Sequence, residues 1–244
     1  MTLSLCLPFY RNPAMLSEQY RVLASYADAV KAQIEIVLVD DGSPEPAVDV
    51  PRPAGVPPLR IYRVLEDRPW HQHAARNLAA SEAAGPWLLL TDIDHVLSAE
   101  SAAALLKHLH HDVVYVFPRV HARDGSPKLT STGRPHAHIN SFALTKRRFW
   151  AIGGYDEDLV GYGTDGFFRQ RVNAAIRPVP LSDVTLIRYS PDVIGDAITQ
   201  RDGLSAKAYR KASMNFPRNE ALLAEKARTG KGPSVLAFEW ERVL

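Results

Sequence analysis

Short apolar segments alternate with amphipathic ones through the first half of the chain. Short, mainly apolar runs predict strands that are covered on both faces, and they lie at 3–7, 34–39, 59–65 and 87–90. Apolar residues spaced by three or four predict helices between these strands, at 13–30, at 73–84 and after Ser98. This alternation favours an α/β fold with a mostly parallel, Rossmann-like sheet and flanking helices.

Local signals predict several boundaries. Asn12 followed by Pro13 predicts a helix that begins with Asn12 as its N-cap, and Ser98 is the predicted cap of a later helix. The Pro-rich segment 44–58 predicts a surface connection. Further elements are predicted from shorter patterns: strands at 113–117 and 139–144, and two polar helices near 204–228.

Composition places the chain among globular proteins. Apolar residues make up 46% and charged residues 23% of 244 residues. No apolar run approaches the roughly 18 to 20 residues that cross a bilayer, and the N-terminus lacks the basic region of a signal peptide. We therefore expect a cytoplasmic protein, with peripheral attachment at the inner membrane face as an option. The single cysteine, Cys6, is predicted to be a buried, inert thiol.

Charge is balanced overall but not along the chain. The formal net charge is +2, whereas residues 166–231 contain twelve basic and six acidic residues, a local surplus of +6. Two interpretations stay open for this surplus: solvated helix faces, or a surface that binds an anionic partner.

The segment TDIDH follows the predicted strand at 87–90. Side chains two residues apart in an extended segment share a face, so Asp92 and Asp94 converge beyond the sheet edge, where open α/β sheets bind ligands. Two adjacent carboxylates repel each other unless a cation lies between them, and oxygen ligands favour Mg²⁺ or Mn²⁺. His95 is interpreted as a neighbour of this site rather than a ligand.

Two other polar segments each allow a structural and a functional interpretation. In VDDGS, Asp40 and Asp41 either shape a turn or accept hydrogen bonds from a nucleotide. Arg76 either lies in solvent on a helix or points its guanidinium at a diphosphate. His71 and His73 lack partners at the spacing of a zinc site, so none is predicted.

The segment GGYDEDLVGYGTDG, residues 153–166, is rich in glycine. Gly153 and Gly154 allow close backbone approach or positive φ. Asp165 is predicted to begin a helix, where it either caps the helix or stands at a cleft mouth and takes a proton from an attacking hydroxyl.

Taken in order, PFY, VDDGS, ARN, TDID and GGYDEDLVGYGTD resemble family 2 glycosyltransferases of the GT-A fold, over about residues 3 to 172. The resemblance implies that Pro8, Tyr10, Asp40 and Asp41 contact the uridine of a UDP-sugar and that Arg76 lies near its diphosphate. It further implies the remaining roles: ribose contact or metal binding for Asp92, metal coordination for Asp94, donor binding near Gly154, and general base in an inverting reaction for Asp165.

The sequence departs from this family pattern in two places. Thr164 stands where Glu is usual, which affects an acceptor contact rather than the base. No His follows Asp165, so the His that completes the metal site in some relatives is absent, and the third protein ligand is unknown. Water or diphosphate oxygens would then fill its place.

The resemblance implies a GT-A core at 1–172 and a C-terminal helical extension on the acceptor side at 173–244, in one compact unit. The expected function is metal-dependent transfer of a sugar from a UDP-sugar to a hydroxyl acceptor, either a glycan or lipid-linked glycan or a hydroxylated nucleic-acid base. Two alternatives remain: a metal-dependent phosphohydrolase or nucleotidyltransferase, and a non-catalytic module that binds sugar nucleotides.

Overall fold

The computed structural model of the chain describes residues 1–67, 71–110, 112–159, 161–198, 208, 211 and 216–244. The strands in these ranges are β1 Leu3–Phe9, β2 Ile34–Asp40, β3 Leu59–Val64, β4 Trp87–Leu90, β5 His95–Leu97, β6 Tyr115–Val116, β7 Arg119–His121, β8 Phe142–Thr145, β9 Val179–Pro180, β10 Leu186–Arg188 and β11 Trp240–Arg242. The helices are α1 Pro13–Ala24, α2 Asp28–Lys31, α3 Gln72–Glu82, α4 Ala99–His108, α5 Lys146–Ala151, α6 Asp165–Ala175 and α7 Phe216–Thr229.

A central sheet of eight strands has the order β11-β3-β2-β1-β4-β8-β6-β9. Strands β3, β2, β1 and β4 are mutually parallel, whereas β8 is antiparallel to both β4 and β6. The predicted α/β class with a mostly parallel sheet is confirmed. A second, three-stranded sheet, β5-β10-β7, begins just after the carboxylates that follow β4.

Apolar side chains fill both faces of the central sheet. One core cluster includes Leu16 of α1 and Leu105 of α4, and the other includes Leu78 of α3 and Phe168 of α6. Cys6 is fully buried in the second cluster, and burial raises the pKa of its thiol, as expected for an inert cysteine. Burial on both faces explains why the first strands are apolar without alternation.

The first helix differs from its prediction at both ends. It ends at Ala24 instead of continuing to residue 30, and the hydroxyl of Tyr26 turns inward to donate to the Leu97 carbonyl at 2.6 Å. The Asn12 side chain does not cap the helix. Instead, the Asp196 carboxylate accepts hydrogen bonds from the Ala14 and Met15 amides at 2.7 and 2.9 Å. A distant residue therefore supplies the cap.

The C-terminal region joins the central sheet through β9 and β11. One of the two predicted polar helices is α7, and the other lies outside the described residues. The functional division at residue 172 stays a prediction. Of the helices that the structure describes, none has the length and apolar character needed to cross a bilayer.

Candidate active site

A cavity of about 530 Å³ opens where the parallel strands end. Pro8 and Tyr10 line it at the end of β1, Asp41 after β2, and Asp92 and Asp94 after β4. Asp165, at the start of α6, lines the same cavity. The structure thus brings together six of the predicted site residues, drawn from four separate segments.

Arg76 of α3 joins two acidic groups of this cavity. Its guanidinium is fully buried, donates to Asp165 Oδ1 at 2.8 Å and pairs with Asp92. The interpretation of Arg76 as a solvent-exposed helical residue is therefore wrong. Because both carboxylates hold one guanidinium, Asp92 and Asp165 are fixed close to each other.

Asp165 is a buried carboxylate surrounded by donors. Gln72 Nε2 lies 3.2 Å from each of its oxygens, and His73 Nε2 lies 3.5 Å from Oδ1. Burial alone would raise the pKa of Asp165, but the hydrogen bond from His73 and the charge of Arg76 hold that pKa well below its usual range. The carboxylate is therefore ionised at neutral pH and can accept a proton, although it is a weak base.

Three side chains form a group with the spacing of a cation site: Asp92, His95 and His138, with one ligand atom of each within 4.8 Å of the others. Burial lowers the pKa of His138 to about 4, so its imidazole is neutral and keeps a lone pair for a metal ion. A carboxylate with imidazole suits Mn²⁺ and related divalent ions. Sequence reasoning missed His138, which precedes β8.

Asp94 lies beside this group but is engaged with His95. The Nδ1 of His95 donates to Asp94 Oδ1 at 2.7 Å, while Arg119 donates to His95 Nε2 at 3.1 Å. Burial alone would raise the pKa of Asp94, but the charge and hydrogen bond of His95 hold it below its usual value. Asp94 remains a predicted metal ligand, and in this structure it orients His95.

Three of the predicted donor-binding residues do not line the cavity: Asp40, Arg76 and Gly154. Asp40 is buried and accepts hydrogen bonds from the amides of Ser43 and Ala47 and from Arg63, so it shapes the turn after β2. Gly154 has a φ of +61°, and a Cβ there would come within 3.0 Å of the Asn77 side chain. This glycine therefore packs against α3.

Thr164, the residue that departs from the family pattern, is also buried. Its hydroxyl donates to the Gly161 carbonyl at 2.9 Å and lies 3.3 Å from His73 Nε2. His73 in turn donates through Nδ1 to the Asp156 carbonyl at 3.1 Å. Thr164 and His73 thus belong to the packing around Asp165, rather than to an open acceptor surface.

Comparison with known proteins identifies the family. The model of the family described as "Glycosyl transferase family 2" matches residues 4–184. The chain belongs to glycosyl transferase family 2. The predicted enzyme class, a glycosyltransferase, is thereby confirmed at the level of the family.

Two curated relatives are similar to parts of this family member. Validoxylamine A glucosyltransferase of Streptomyces hygroscopicus subsp. jinggangensis is 28% identical over 206 residues, which cover 66% of this chain and 48% of that protein. Undecaprenyl-phosphate 4-deoxy-4-formamido-L-arabinose transferase of Edwardsiella ictaluri is 33% identical over 92 residues, 37% of this chain and 28% of that protein. The chain thus spans half or less of the length of each.

Solved structures share the fold. S. aureus TarS 1-349 in complex with UDP-GlcNAc has a TM-score of 0.64 and 21% identity, over 85% of this chain and 61% of that chain. Mannosyltransferase PcManGT from Pyrobaculum calidifontis, in complex with GDP-Man and Mn²⁺, has a TM-score of 0.59 and 19% identity, over 82% of this chain and 58% of that chain. These likenesses confirm the predicted GT-A fold.

Proposed function

We propose that the chain transfers a sugar from a UDP-sugar to a hydroxyl acceptor, with a divalent cation and with inversion at the anomeric carbon. Membership of glycosyl transferase family 2 supports the transfer. The fold is shared with TarS in complex with UDP-GlcNAc, which supports a uridine nucleotide, although another protein of this fold is solved with GDP-Man.

One observation carries the proposal. The buried guanidinium of Arg76 is paired with Asp165, the predicted base, and with Asp92, the first carboxylate of the TDID segment. Both carboxylates line a cavity that also reaches Pro8, Tyr10 and Asp41, the predicted uridine contacts. A donor nucleotide and an acceptor hydroxyl can therefore meet inside one site.

The side chains present fit a divalent cation. Asp92 and His138 would hold it, with His95 and the predicted ligand Asp94 beside them. Mn²⁺ or Mg²⁺ bound there would neutralise the negative charge that develops on the departing diphosphate. The third protein ligand, unknown from the sequence, would be His138, which comes before Asp165 in the chain.

Asp165 would remove the proton of the acceptor hydroxyl as that oxygen attacks the anomeric carbon from the face opposite to UDP. The C–O bond to the acceptor forms while the bond to the diphosphate breaks, and the proton ends on the Asp165 carboxylate. A carboxylate with a lowered pKa is a weak base, so proton transfer must occur late, when the hydroxyl has become acidic through attack. Much of the remaining rate enhancement comes from positioning the donor sugar and the acceptor hydroxyl next to each other.

The acceptor would be a hydroxyl on an anionic molecule. The surplus of +6 over residues 166–231 motivates this part of the proposal. A glycan that carries anionic groups, a lipid-linked glycan at a membrane surface and a hydroxylated nucleic-acid base all meet the requirement. A steep rise of the acceptor KM with ionic strength would support the nucleic acid.

The test measures UDP release from a panel of UDP-sugars with Mn²⁺, with Mg²⁺ and with EDTA. We expect release to require the cation and to be lost in Asp165→Asn, while calorimetry shows that this variant still binds UDP. The anomeric configuration of the product, read by NMR, should be opposite to that of the donor. Release of phosphate without UDP, or unchanged turnover in Asp165→Asn, would contradict the proposal.

A further inference from the structure

Three basic side chains line the cavity on the side of the three-stranded sheet: Arg119 of β7, Arg188 of β10, and Lys128 of the segment that follows β7. We call them the cationic wall. The Lys128 amide donates to the Arg119 carbonyl at 2.7 Å, and β10 pairs with β7 in parallel. The wall is therefore built on hydrogen-bonded neighbouring segments, not on scattered surface residues.

Arg119 is only 5% exposed, and its hydrogen-bond partners are two histidine rings and a backbone carbonyl. It donates to His95 Nε2 at 3.1 Å and to the His136 carbonyl at 3.2 Å. Within the described part of the chain, no carboxylate forms an ion pair with Arg119, Lys128 or Arg188. The charges of Asp92 and Asp94 act on Arg119, but neither carboxylate forms an ion pair with it, and a buried cation without such a partner is costly. An anion in the cavity beside Arg119 would offset that cost.

Arg76, the residue predicted to meet the diphosphate, cannot serve this purpose in the described arrangement. Its guanidinium has no exposed surface and is shared between Asp92 and Asp165. The cationic wall, by contrast, faces the cavity, and Arg119 is hydrogen-bonded to His95 of the candidate cation group. Phosphoryl oxygens next to a cation in that group would lie near Arg119.

We propose that the cationic wall binds phosphoryl oxygens of a substrate, a role that sequence reasoning gave to Arg76. The inference rests on the proposed function, because the phosphoryl group belongs either to the diphosphate of the donor or to a phosphorylated acceptor. Both sources share the same recognition chemistry: guanidinium and ammonium donors directed at anionic oxygens. The experiment separates them.

The experiment uses Arg188→Gln and Lys128→Gln, because both side chains are half-buried and their loss leaves Arg119 in place. Arg177→Gln removes an equal charge from an exposed residue that does not line the cavity, and Arg188→Lys keeps the charge. Near-UV circular dichroism checks that each variant is folded. Calorimetry then measures three sets of affinities. Uridine and UDP are titrated in the presence of Mn²⁺, and inorganic pyrophosphate is titrated in EDTA. Inorganic phosphate is titrated into protein that is already saturated with UDP and Mn²⁺.

If the wall meets the donor, UDP affinity falls about tenfold or more in both Gln variants while uridine affinity is unchanged. If it meets the acceptor, UDP affinity is unchanged, whereas phosphate binds the UDP-saturated wild type and is lost from the variants. Arg177→Gln should match wild type in both cases, and Arg188→Lys should lie between. Equal affinities of all variants for every phosphate probe would overturn the proposal.

Failure of the proposed function has a different signature. If neither uridine nor UDP binds the wild-type protein, then the assignment of a UDP-sugar donor fails. In that case, the affinity for pyrophosphate alone tests whether the cationic wall binds phosphoryl oxygens. Weaker binding in Arg188→Gln and Lys128→Gln than in Arg177→Gln supports the wall, and equal binding overturns it.

Discussion

At the scale of single residues, Asp165 combines burial with a strongly stabilised negative charge. It is 7% exposed and is held by Arg76, Gln72 and His73. The pKa of Asp165 is lower in the folded protein than its unfolded-state pKa near 3.8. Ionised Asp165 therefore contributes fully to stability above that unfolded-state pKa, and the contribution is lost as the pH falls through the folded-state pKa. The carboxylate therefore stabilises the fold across the whole neutral range.

We expect Asp165→Asn to lower the free energy of unfolding by about 1 to 3 kcal/mol, because the ion pair with Arg76 loses its charged acceptor. The difference from wild type should be constant between pH 8 and 5 and should shrink below about pH 4. Urea unfolding followed by circular dichroism measures it. Asp28→Asn is the control, since that side chain is fully exposed. A difference that grows as the pH falls below 4 would contradict the ion-pair explanation.

His138 allows a test of the candidate cation group. We expect His138→Ala to weaken Mn²⁺ binding about tenfold or more, because the variant loses one of the two side chains that would hold the ion. Electron paramagnetic resonance of free Mn²⁺ measures the affinity directly, without turnover. His110→Ala, an exposed histidine outside the cavity, should bind Mn²⁺ like wild type.

Asp94 is tested in the same titration. Asparagine keeps an oxygen that can accept the hydrogen bond from His95, but it is a poor ligand for a hard cation. Wild-type Mn²⁺ affinity in Asp94→Asn would mean that Asp94 orients His95, and a loss as large as that of His138→Ala would make it a ligand. If neither variant loses affinity, the cation lies elsewhere.

Sequence reasoning located the carboxylates but not all of their partners. Asp92 and Asp94 directly follow an apolar strand, so their place at the sheet edge follows from strand geometry alone. The partners of Arg76 depend on how α3 packs against distant segments, and no local pattern encodes that packing. The cap of α1 by Asp196 is a similar case, since Asn12 satisfied every local rule for an N-cap.

At the scale of elements, the direction of β8 explains why His138 was missed. The strand runs antiparallel to β4, with Phe142 paired with Leu90. The start of β8 therefore lies beside the end of β4, and the residues just before β8 reach the carboxylates just after β4. An apolar run predicts a strand, but it carries no information on strand direction. A wholly parallel arrangement would put the residues before β8 at the opposite edge of the sheet.

Helix α7 is fastened to the loop before α6 by a buried ion pair. Lys226 Nζ lies 2.7 and 2.9 Å from the two oxygens of Asp156, which is 2% exposed, and 2.7 Å from Asp158. The Asp156 carbonyl accepts the hydrogen bond of His73, which faces Asp165. A C-terminal helix is thus connected to the surroundings of the predicted base through two contacts.

We expect Lys226→Gln to lower the free energy of unfolding by about 3 kcal/mol, because it leaves the Asp156 carboxylate buried without its cation. Lys231→Gln, at an exposed position nearby in the sequence, should change it by less than about 0.5 kcal/mol. Denaturant unfolding gives both values, and hydrogen exchange should show faster opening of α7 in Lys226→Gln alone. Equal stability of the two variants would mean that this ion pair does not fasten the helix.

At the scale of the whole molecule, the C-terminal segment closes one edge of the central sheet. Strand β11 pairs antiparallel with β3, and the Trp240 ring packs edge-on against Tyr62 at 5.6 Å. Sequence reasoning assigned two polar helices near 204–228 and no strand at 240–242. A three-residue strand has too little pattern to be assigned, and its pairing with β3 joins segments far apart in the chain.

Removal of residues 239–244 should therefore uncover the edge of β3. The backbone hydrogen bonds from Leu65 to Glu239 and from Val243 to Ile61, at 3.0 and 2.9 Å, would be lost. We expect the free energy of unfolding to fall by about 1 kcal/mol or more, and the truncated chain to associate more than the full chain as concentration rises, because an open strand edge pairs with other chains. Trp240→Ala is the matched control, since it removes the aromatic contact but keeps the backbone pairing. Sedimentation velocity over a range of concentrations separates the two effects. Association of the truncated chain alone would support edge closure, whereas equal association of both variants would point to the ring contact. No association in either variant would show that β11 does not protect the sheet.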